Sequence, residues 1–331
     1  MKYIPNYSTD PADNLAYEHF LLTNKIQTEP LLFFYINKPS VIIGRYQNAF
    51  AEVNLEYVWR HGIPVIRRMS GGGAVYHDYG NLNYSFILPN DNDMLDFAKL
   101  TKPILQALHA MGAKGATLSG RNDLEIDGKK FSGTAMYKKD SHILLHGTLL
   151  FRSDMSRLND ILQVRPDKIM SKGVKSVRSR VTNLVDYLDD EYRKMSTAEF
   201  KEALMAKLQN VDVTGYTITM PELRLVNDLK AEYYGNHQWN FGMSPEWTYN
   251  ERQRFTFGEV EVAMVVRQDI IQEFKLYGDY FALRDVSELE DQFINLPYEK
   301  YIFVQKLRDI NLQAYLPNMT DEEFLALCFA D

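Results

Sequence analysis

The chain has a single cysteine, Cys328, three residues from its end. A lone thiol forms no internal disulfide and supplies no cysteine cluster for zinc, and a cysteine nucleophile would have to be this residue. No stretch approaches the roughly 18 uninterrupted apolar residues of a membrane-spanning helix. The opening MKYIPNYSTDPADN lacks the apolar core of a secretory signal. These absences point to a cytoplasmic protein. Positive charge is also in short supply: 37 Lys and Arg stand against 44 Asp and Glu, a net charge of −7. That balance disfavours nucleic acid, whose binding needs a cationic footprint. Neither a repeat nor a low-complexity tract is visible.

What is present is ample apolar material. Of 331 residues, 45% are hydrophobic, enough for one large core and a smaller one, since single cores tend to split beyond about 250–300 residues. Asp10-Pro11 ahead of Leu15, Phe20 and Leu21 reads as a capped amphipathic helix. LLFFYI (31–36) and SVIIG (40–44) read as buried strands around a Lys38-Pro39-Ser40 turn. A short helix fits 54–61, stopped by Gly62. PVIRRM (64–69) reads as a strand running into Ser70-Gly71-Gly72-Gly73, after which AVYHD and LNYSFIL alternate like paired strands. Residues 94–111 have helical periodicity. From 116 to 152 the pattern is a meander, with Asp127-Gly128 as a two-residue hairpin turn, a bulge expected at Ser132-Gly133, and HILLHGTLLF (142–151) closing the sheet. Ser196 and Glu199 form a capping box for a helix to about 208, and another helix fits 221–235. We expect a catalytic α+β domain over 1–243 and a small C-terminal α+β domain over 244–331.

Three segments carry candidate chemistry. Arg67 and Arg68 precede the three glycines, whose backbone can approach a ligand closely and turn N–H groups toward an anion. Arg68 can make paired bonds to phosphate or carboxylate; a tight turn flanked by two surface arginines fits the same residues. The P-loop lysine and Ser/Thr are missing. In the second segment, strand alternation puts Lys130, Ser132 and Thr134 on one face. Facing a pocket, Lys130 would hold a carboxylate and steady charge as it attacks a phosphate, and Asp123 offers a hard oxygen to Mg2+; ordinary solvated hairpin charges fit equally. The third is His146-Gly147-Thr148, where the glycine leaves room for a ligand or another backbone and the histidine is a pocket wall or a satisfied core residue. His77-Asp78 reads as an acid–base pair or a capped turn. The basic stretch 165–184 reads as a mobile loop, either a solvated face, a cover for phosphate or adenylate, or a docking patch for an acidic protein.

Taken together, RRMSGGGAVYHD (67–78), GNLNYSF (80–86), SGRNDL (119–124), KKFSGTAMY (129–137), HGTLLF (146–151) and SKGVKSVRSRVTNL (171–184) resemble the lipoate–protein ligase family in order and spacing. The match is strong over residues 10–190 and weaker through Trp239–Gly242 to the end. The resemblance implies a mixed-sheet catalytic domain like those of biotin ligases and class II aminoacyl-tRNA synthetases. It implies AMP-forming activation of lipoate by ATP with Mg2+, through lipoyl-AMP, and transfer to a lysine of lipoyl carrier domains in 2-oxoacid dehydrogenase complexes or the glycine cleavage H protein, as in lipoate salvage. By matched position, Lys130 contacts the lipoyl carboxyl and the α-phosphate. Arg68 and the Gly73-Ala74-Val75-Tyr76 backbone bind ATP, and Asp123 contacts metal or adenylate. Asn83, Gly133, His146, Gly147 and Thr148 line the pocket. Ser171 to Arg180, with Lys172 and Arg178, forms an adenylate-covering loop. Met69 departs from the pattern, in which a third arginine can follow Arg67-Arg68.

Rival readings share the fold. A cysteine acyltransferase would need Cys328, which lies outside every pocket motif. A lipoyl-AMP or lipoyl/octanoyl transferase lacking its own adenylation step differs only in fine geometry of the nucleotide site. A carrier-binding or lipoate-sensing protein without catalysis would not need Arg68, Asp123 and Lys130 intact.

Overall fold

A computed structural model describes the chain except residues 24–28, 90–96, 121, 140–141, 163–180, 209–210, 213–215, 217, 243–246 and 331. The strands among the described residues are β1 (Lys2–Ile4), β2 (Leu31–Tyr35), β3 (Ser40–Ile43), β4 (Val65–Arg67), β5 (Val75–His77), β6 (Asn81–Pro89), β7 (Thr117–Ser119), β8 (Asp123–Ile126), β9 (Lys129–Lys139), β10 (His142–Leu150), β11 (Tyr249–Phe255), β12 (Gly258–Arg267) and β13 (Ile270–Gly278). They form the mixed α+β architecture expected. A seven-stranded sheet runs β1-β2-β6-β10-β9-β8-β7, a small sheet runs β4-β3-β5, and a C-terminal sheet runs β11-β12-β13.

The apolar run of β2 is unbroken because both faces of the large sheet are covered. Leu32 and Phe34 join the core with helices 97–110 and 197–207, while Leu31, Phe33 and Tyr35 join the core with helix 11–23. Helix 11–23 starts where Asp10 Oδ1 accepts from the backbone N–H groups of Ala12 and Asp13, and Ser196-Glu199 forms the expected capping box. Two expectations fail. AVYHD and LNYSFIL do not pair: β5 lies beside β3 in the small sheet, while β6 lies between β2 and β10. Strand 142–150 does not close the sheet but sits inside it, between β6 and β9. Alternation fixes which faces a strand buries, not its neighbour, so neither error was visible in the pattern.

The C-terminal sheet packs on helices 300–308 and 321–328 around its own core, which includes Cys328. This unit rests on the glycine loop. Gly278 N–H donates to Tyr46 O at 2.7 Å, Gly72 N–H to Tyr280 O at 3.3 Å, and the Tyr46 and Tyr280 rings stack at 5.1 Å. The expected boundary at 243 falls outside the described residues. Among the described residues no helix is long and apolar enough to cross a membrane.

Candidate active site

Neither arginine at the end of β4 is on the surface; Arg67 is 8% and Arg68 6% exposed. Arg67 is enclosed by backbone. Its Nη1 donates to the carbonyls of Gly44, Arg45 and Gln47, its Nε to Trp239 O and its Nη2 to Asn240 O. The Trp239-Asn240 segment is thereby fixed behind the loop. Arg68 turns onto the loop itself. Nη2 reaches Gly71 O at 2.7 Å and Gly73 O at 2.9 Å, Nε reaches Ser70 Oγ at 3.0 Å, and Nη1 reaches Ile42 O at 3.2 Å. Burial pulls both guanidinium pKa values down to about 10, which leaves them charged at neutral pH. Gly72 has φ +89°, in the region that favours glycine. Arg68 thus lines the cavity and also braces the loop around it.

The hairpin that carries Lys130 turns at Asp127-Gly128, both at positive φ (51° and 70°), as a type I′ turn requires. The bulge lies one step earlier than expected. Glu125 pairs with Lys130 and Leu124 with Ser132, so Phe131 is the extra residue. It points into the core, fully buried, and the slip lets Lys130 and Gly133 line the same cavities. A Cβ on Gly133 would lie 2.9 Å from Lys130 Nζ, so that glycine makes room for the ammonium. Lys130 Nζ is 2.8 Å from Asp123 Oδ1, both side chains about one-third exposed.

Two cavities meet here. The inner one, about 110 Å³, is lined by apolar Leu15, Tyr35, Ile42 and Ala135 and by polar Arg68, His77, Asn83 and His146, among others. The outer one, about 460 Å³, takes in Tyr76, Asp123, Glu125 and Ser132. Ala74, Val75, Lys130, Gly133 and Thr148 line both, so they mark the junction. Gly73 and Gly147 line the inner cavity. At Gly73 an added Cβ would meet nothing within 4 Å, whereas at Gly147 it would fall 2.5 Å from the Tyr84 hydroxyl. Thr148 Oγ1 accepts from Gly133 N–H, and Asn83 Nδ2 donates to Tyr35 O. Lys172 and Arg178 lie outside the described residues. No cluster of three or more His, Cys, Asp or Glu suited to a metal occurs among the described residues.

The sequence reading missed the residues behind these walls. Glu18, buried on helix 11–23, accepts from Nδ1 of His146 at 2.8 Å and from Ser85 Oγ. His146 Nε2 meets Ser70 Oγ at 2.6 Å. Ser70 Oγ also accepts from Arg68 Nε at 3.0 Å. The chain Glu18–His146–Ser70–Arg68 ties helix, sheet and glycine loop together. Helix 11–23 carries little amphipathic contrast, because polar Asn14, Glu18 and His19 are buried along with its apolar residues. The one available cue was a run of polar residues on a buried helix.

Residues 10–209 match the family model described as the lipoyl protein ligase A/B catalytic domain, and residues 244–327 match that of the bacterial lipoate protein ligase C-terminus. A lipoate–protein ligase of Bacillus subtilis is 41% identical over 335 residues, covering 99% of this chain and all of the relative. Among solved structures, a Plasmodium falciparum protein in complex with lipoate superposes with a TM-score of 0.77 at 25% identity, over 98% of this chain and 96% of that one. An archaeal bi-partite lipoate–protein ligase of Thermoplasma acidophilum, described with its E2 lipoyl domain, gives 0.63 at 30% identity over 75% and 98%. A lipoate–protein ligase A bound with ATP gives 0.59 at 27% identity over 73% and 98%.

Proposed function

Because the chain belongs to the lipoyl protein ligase A/B family, we propose that it attaches lipoate to carrier lysines in two steps, both run at the junction of its two cavities. The carboxylate of lipoate attacks the α-phosphorus of ATP, pyrophosphate leaves, and a lipoyl–AMP anhydride remains. The ε-amine of a carrier lysine then attacks the anhydride carbonyl, AMP leaves with the bonding pair, and the amine loses a proton. The observation that carries this reading is the position of Lys130, which lines both the inner cavity and the roomier outer one. Leu15, Tyr35, Ile42 and Ala135 suit an acyl tail, at roughly 0.8 kcal/mol per buried methylene. The outer cavity, next to Ala74–Tyr76, suits the nucleotide.

Adenylation needs no protein nucleophile, so positioning and charge neutralisation supply the catalysis. Lys130, steered by Asp123 and given room by Gly133, is the cation that meets both the acid's carboxyl and the α-phosphate. The braced glycine loop presents the Gly73–Tyr76 backbone, while Asn83, His146, Gly147 and Thr148 shape the acyl side. Among the described residues, Asp123 and Glu125 are the acidic groups of the outer cavity. This sparse donor set fits Mg2+, which keeps waters and rides on substrate phosphates, and Asp123 is the residue we assign to it. The acceptors are lipoyl carrier domains of 2-oxoacid dehydrogenase complexes or the glycine cleavage H protein.

Incubation with lipoate, Mg-ATP and a purified lipoyl carrier domain, read by intact mass, is expected to add one lipoyl group with ATP and none without it. Lys130→Ala is expected to slow adenylate formation by about 10²–10³-fold with an unchanged circular dichroism spectrum. Labelling only from supplied lipoyl-AMP would favour a transferase; a wild-type rate in Lys130→Ala would refute the assignment.

A further inference from the structure

His77 ends β5 and lines the inner cavity, 4% exposed. Its Nδ1 lies 3.0 Å from Asn37 Nδ2, and its Nε2 is buried with no hydrogen-bond partner among the described residues. Which ring nitrogen carries the proton is decided by a chain of amides that ends on unambiguous backbone groups. Ser8 N–H donates to Asn6 Oδ1, which turns Asn6 Nδ2 toward Asn14 Oδ1 at 2.8 Å. Asn14 Nδ2 then donates to Ser8 O at 3.1 Å and to Asn37 Oδ1 at 2.7 Å. With its oxygen occupied, Asn37 presents its N–H to His77. The bond requires a lone pair on Nδ1, so the proton of the neutral ring sits on Nε2. Both inner asparagines are fully buried, and reversing either would set donor against donor. Burial, together with the nearby Arg68 cation and His146, pushes the His77 pKa down to about 3. The ring is therefore neutral at physiological pH.

A buried N–H without a partner costs about 1–3 kcal/mol, and in a cavity wall a ligand acceptor removes that cost. The acid carries its strong acceptors only at its carboxyl head. His77 shares the inner cavity with Lys130 and Thr148, both of which also line the outer one, and the head is expected beside that lysine. We propose that His77 contacts the substrate directly, its Nε2–H donating to the acyl oxygen of the bound acid and of its mixed anhydride, and that Asn37 and Asn14 act as positioning residues by fixing the tautomer. This rests on the two-step reading above. When the carrier amine attacks, the carbonyl π pair moves to oxygen. A neutral N–H already aimed there stabilises that charge without giving up its proton. His146 is bonded differently, Nδ1 to Glu18 and Nε2 to Ser70 Oγ, so both of its nitrogens are already engaged within the protein.

The test uses the full-length enzyme. With ¹⁵N-histidine labelling, and His77 assigned by its loss in His77→Gln, the free enzyme is expected to show the Nε2–H tautomer. Saturating lipoate is expected to move that proton downfield. In single-turnover transfer from synthetic lipoyl-AMP to a carrier domain, His77→Ala is expected to be about 10²-fold slower. His77→Gln, which keeps an N–H, is expected to recover at least about tenfold of this, and Asn37→Leu to be slowed with His77 still present. An Nδ1–H tautomer, a ring signal unmoved by bound lipoate, or a folded His77→Ala at wild-type rate would overturn the proposal. The NMR measurements stand even where the Asn37 variant does not fold. Should wild-type enzyme make no lipoyl-AMP and transfer nothing, the two-step reading would fail, while the tautomer would still be measured.

Discussion

Replacing Arg67 by lysine keeps the charge and removes the fork, which makes it a clean test of how the loop is held. The ammonium can stay near the carbonyls of Gly44, Arg45 and Gln47, where Nη1 now sits at 3.0, 3.1 and 2.5 Å. It cannot also reach Trp239 O and Asn240 O, 2.9 and 3.0 Å from Nε and Nη2 on the other side of the guanidinium. Hydrogen bonds to charged groups contribute about 1.5–3 kcal/mol each. Two lost bonds therefore bound the effect at about 3–6 kcal/mol. Two contacts survive the change, Arg67 N–H to Asn240 Oδ1 and Trp239 Nε1–H to Arg67 O, and the half-buried Trp239 carbonyl can turn to water. About 3 kcal/mol remains, roughly a 4 °C fall in Tm for a chain of 331 residues. Loss of exchange protection should centre on residues 237–241. Thermal unfolding followed by circular dichroism, with hydrogen exchange read by mass spectrometry, measures both. A Tm within 1 °C of wild type and unchanged protection at 237–241 would show that a point charge suffices and that the planar fork is irrelevant.

Three further outcomes are expected. Gly72→Ala forces a side chain to φ +89° and sets its Cβ 3.0 Å from Arg68 Nη2, a strain of about 1–3 kcal/mol; adenylate formation should fall at least tenfold, measured by pyrophosphate release. His19 is buried with its pKa pushed down to about 4. Below 6.5 the unfolded chain takes up a proton that the folded state refuses, so stability present above pH 6.5 is lost progressively down to about pH 4. Each such histidine accounts for up to about 1.4 kcal/mol per pH unit, so His19→Gln should flatten the urea midpoint against pH over that window; an unchanged slope would contradict it. Burial raises the Cys328 thiol well above its ordinary range. Native enzyme should resist iodoacetamide, and Cys328→Ser should ligate like wild type in the intact-mass assay.

Local signals in the sequence were strong where one residue type had one mechanical use. Asp127-Gly128 demanded a type I′ turn, Ser196 with Glu199 a capping box, and Asp10-Pro11 a helix start; each is present. The expected pocket residues Asn83, Gly133, His146, Gly147 and Thr148 line one cavity together with Arg68 and Lys130. What stayed hidden was whatever depends on partners far along the chain. Strand alternation says nothing about whether β5 pairs with β6 or with β3. Two adjacent arginines beside glycines look like anion ligands, yet the enclosing carbonyls come from residues 42–47, 71–73 and 239–240. Asn14, Glu18 and Asn37 carried no motif at all, because a buried polar residue is recognisable only once its partner is known.

The three glycines are not interchangeable, and their different reasons explain how the site is assembled. At Gly71 a Cβ would fall 2.2 Å from Tyr280 O, so the missing side chain admits the backbone of the C-terminal unit. At Gly72 the constraint is the backbone angle, with Arg68 and the Phe281 ring close by. Only Gly73 has open space where its side chain would be, on the cavity side. A loop that needed flexibility alone would not show three distinct contacts. Here Gly71 admits the C-terminal unit, Gly72 meets both that unit and the buried arginine, and Gly73 lines the cavity. The loop is therefore a joint whose shape depends on all three. The Arg68 cation, bonded to the carbonyls of Gly71 and Gly73, draws the oxygens of the joint inward. That leaves the outward-facing backbone at Gly73 as the part able to receive an anion, and it follows that the arginine can support phosphate binding through the loop's geometry without touching the phosphate.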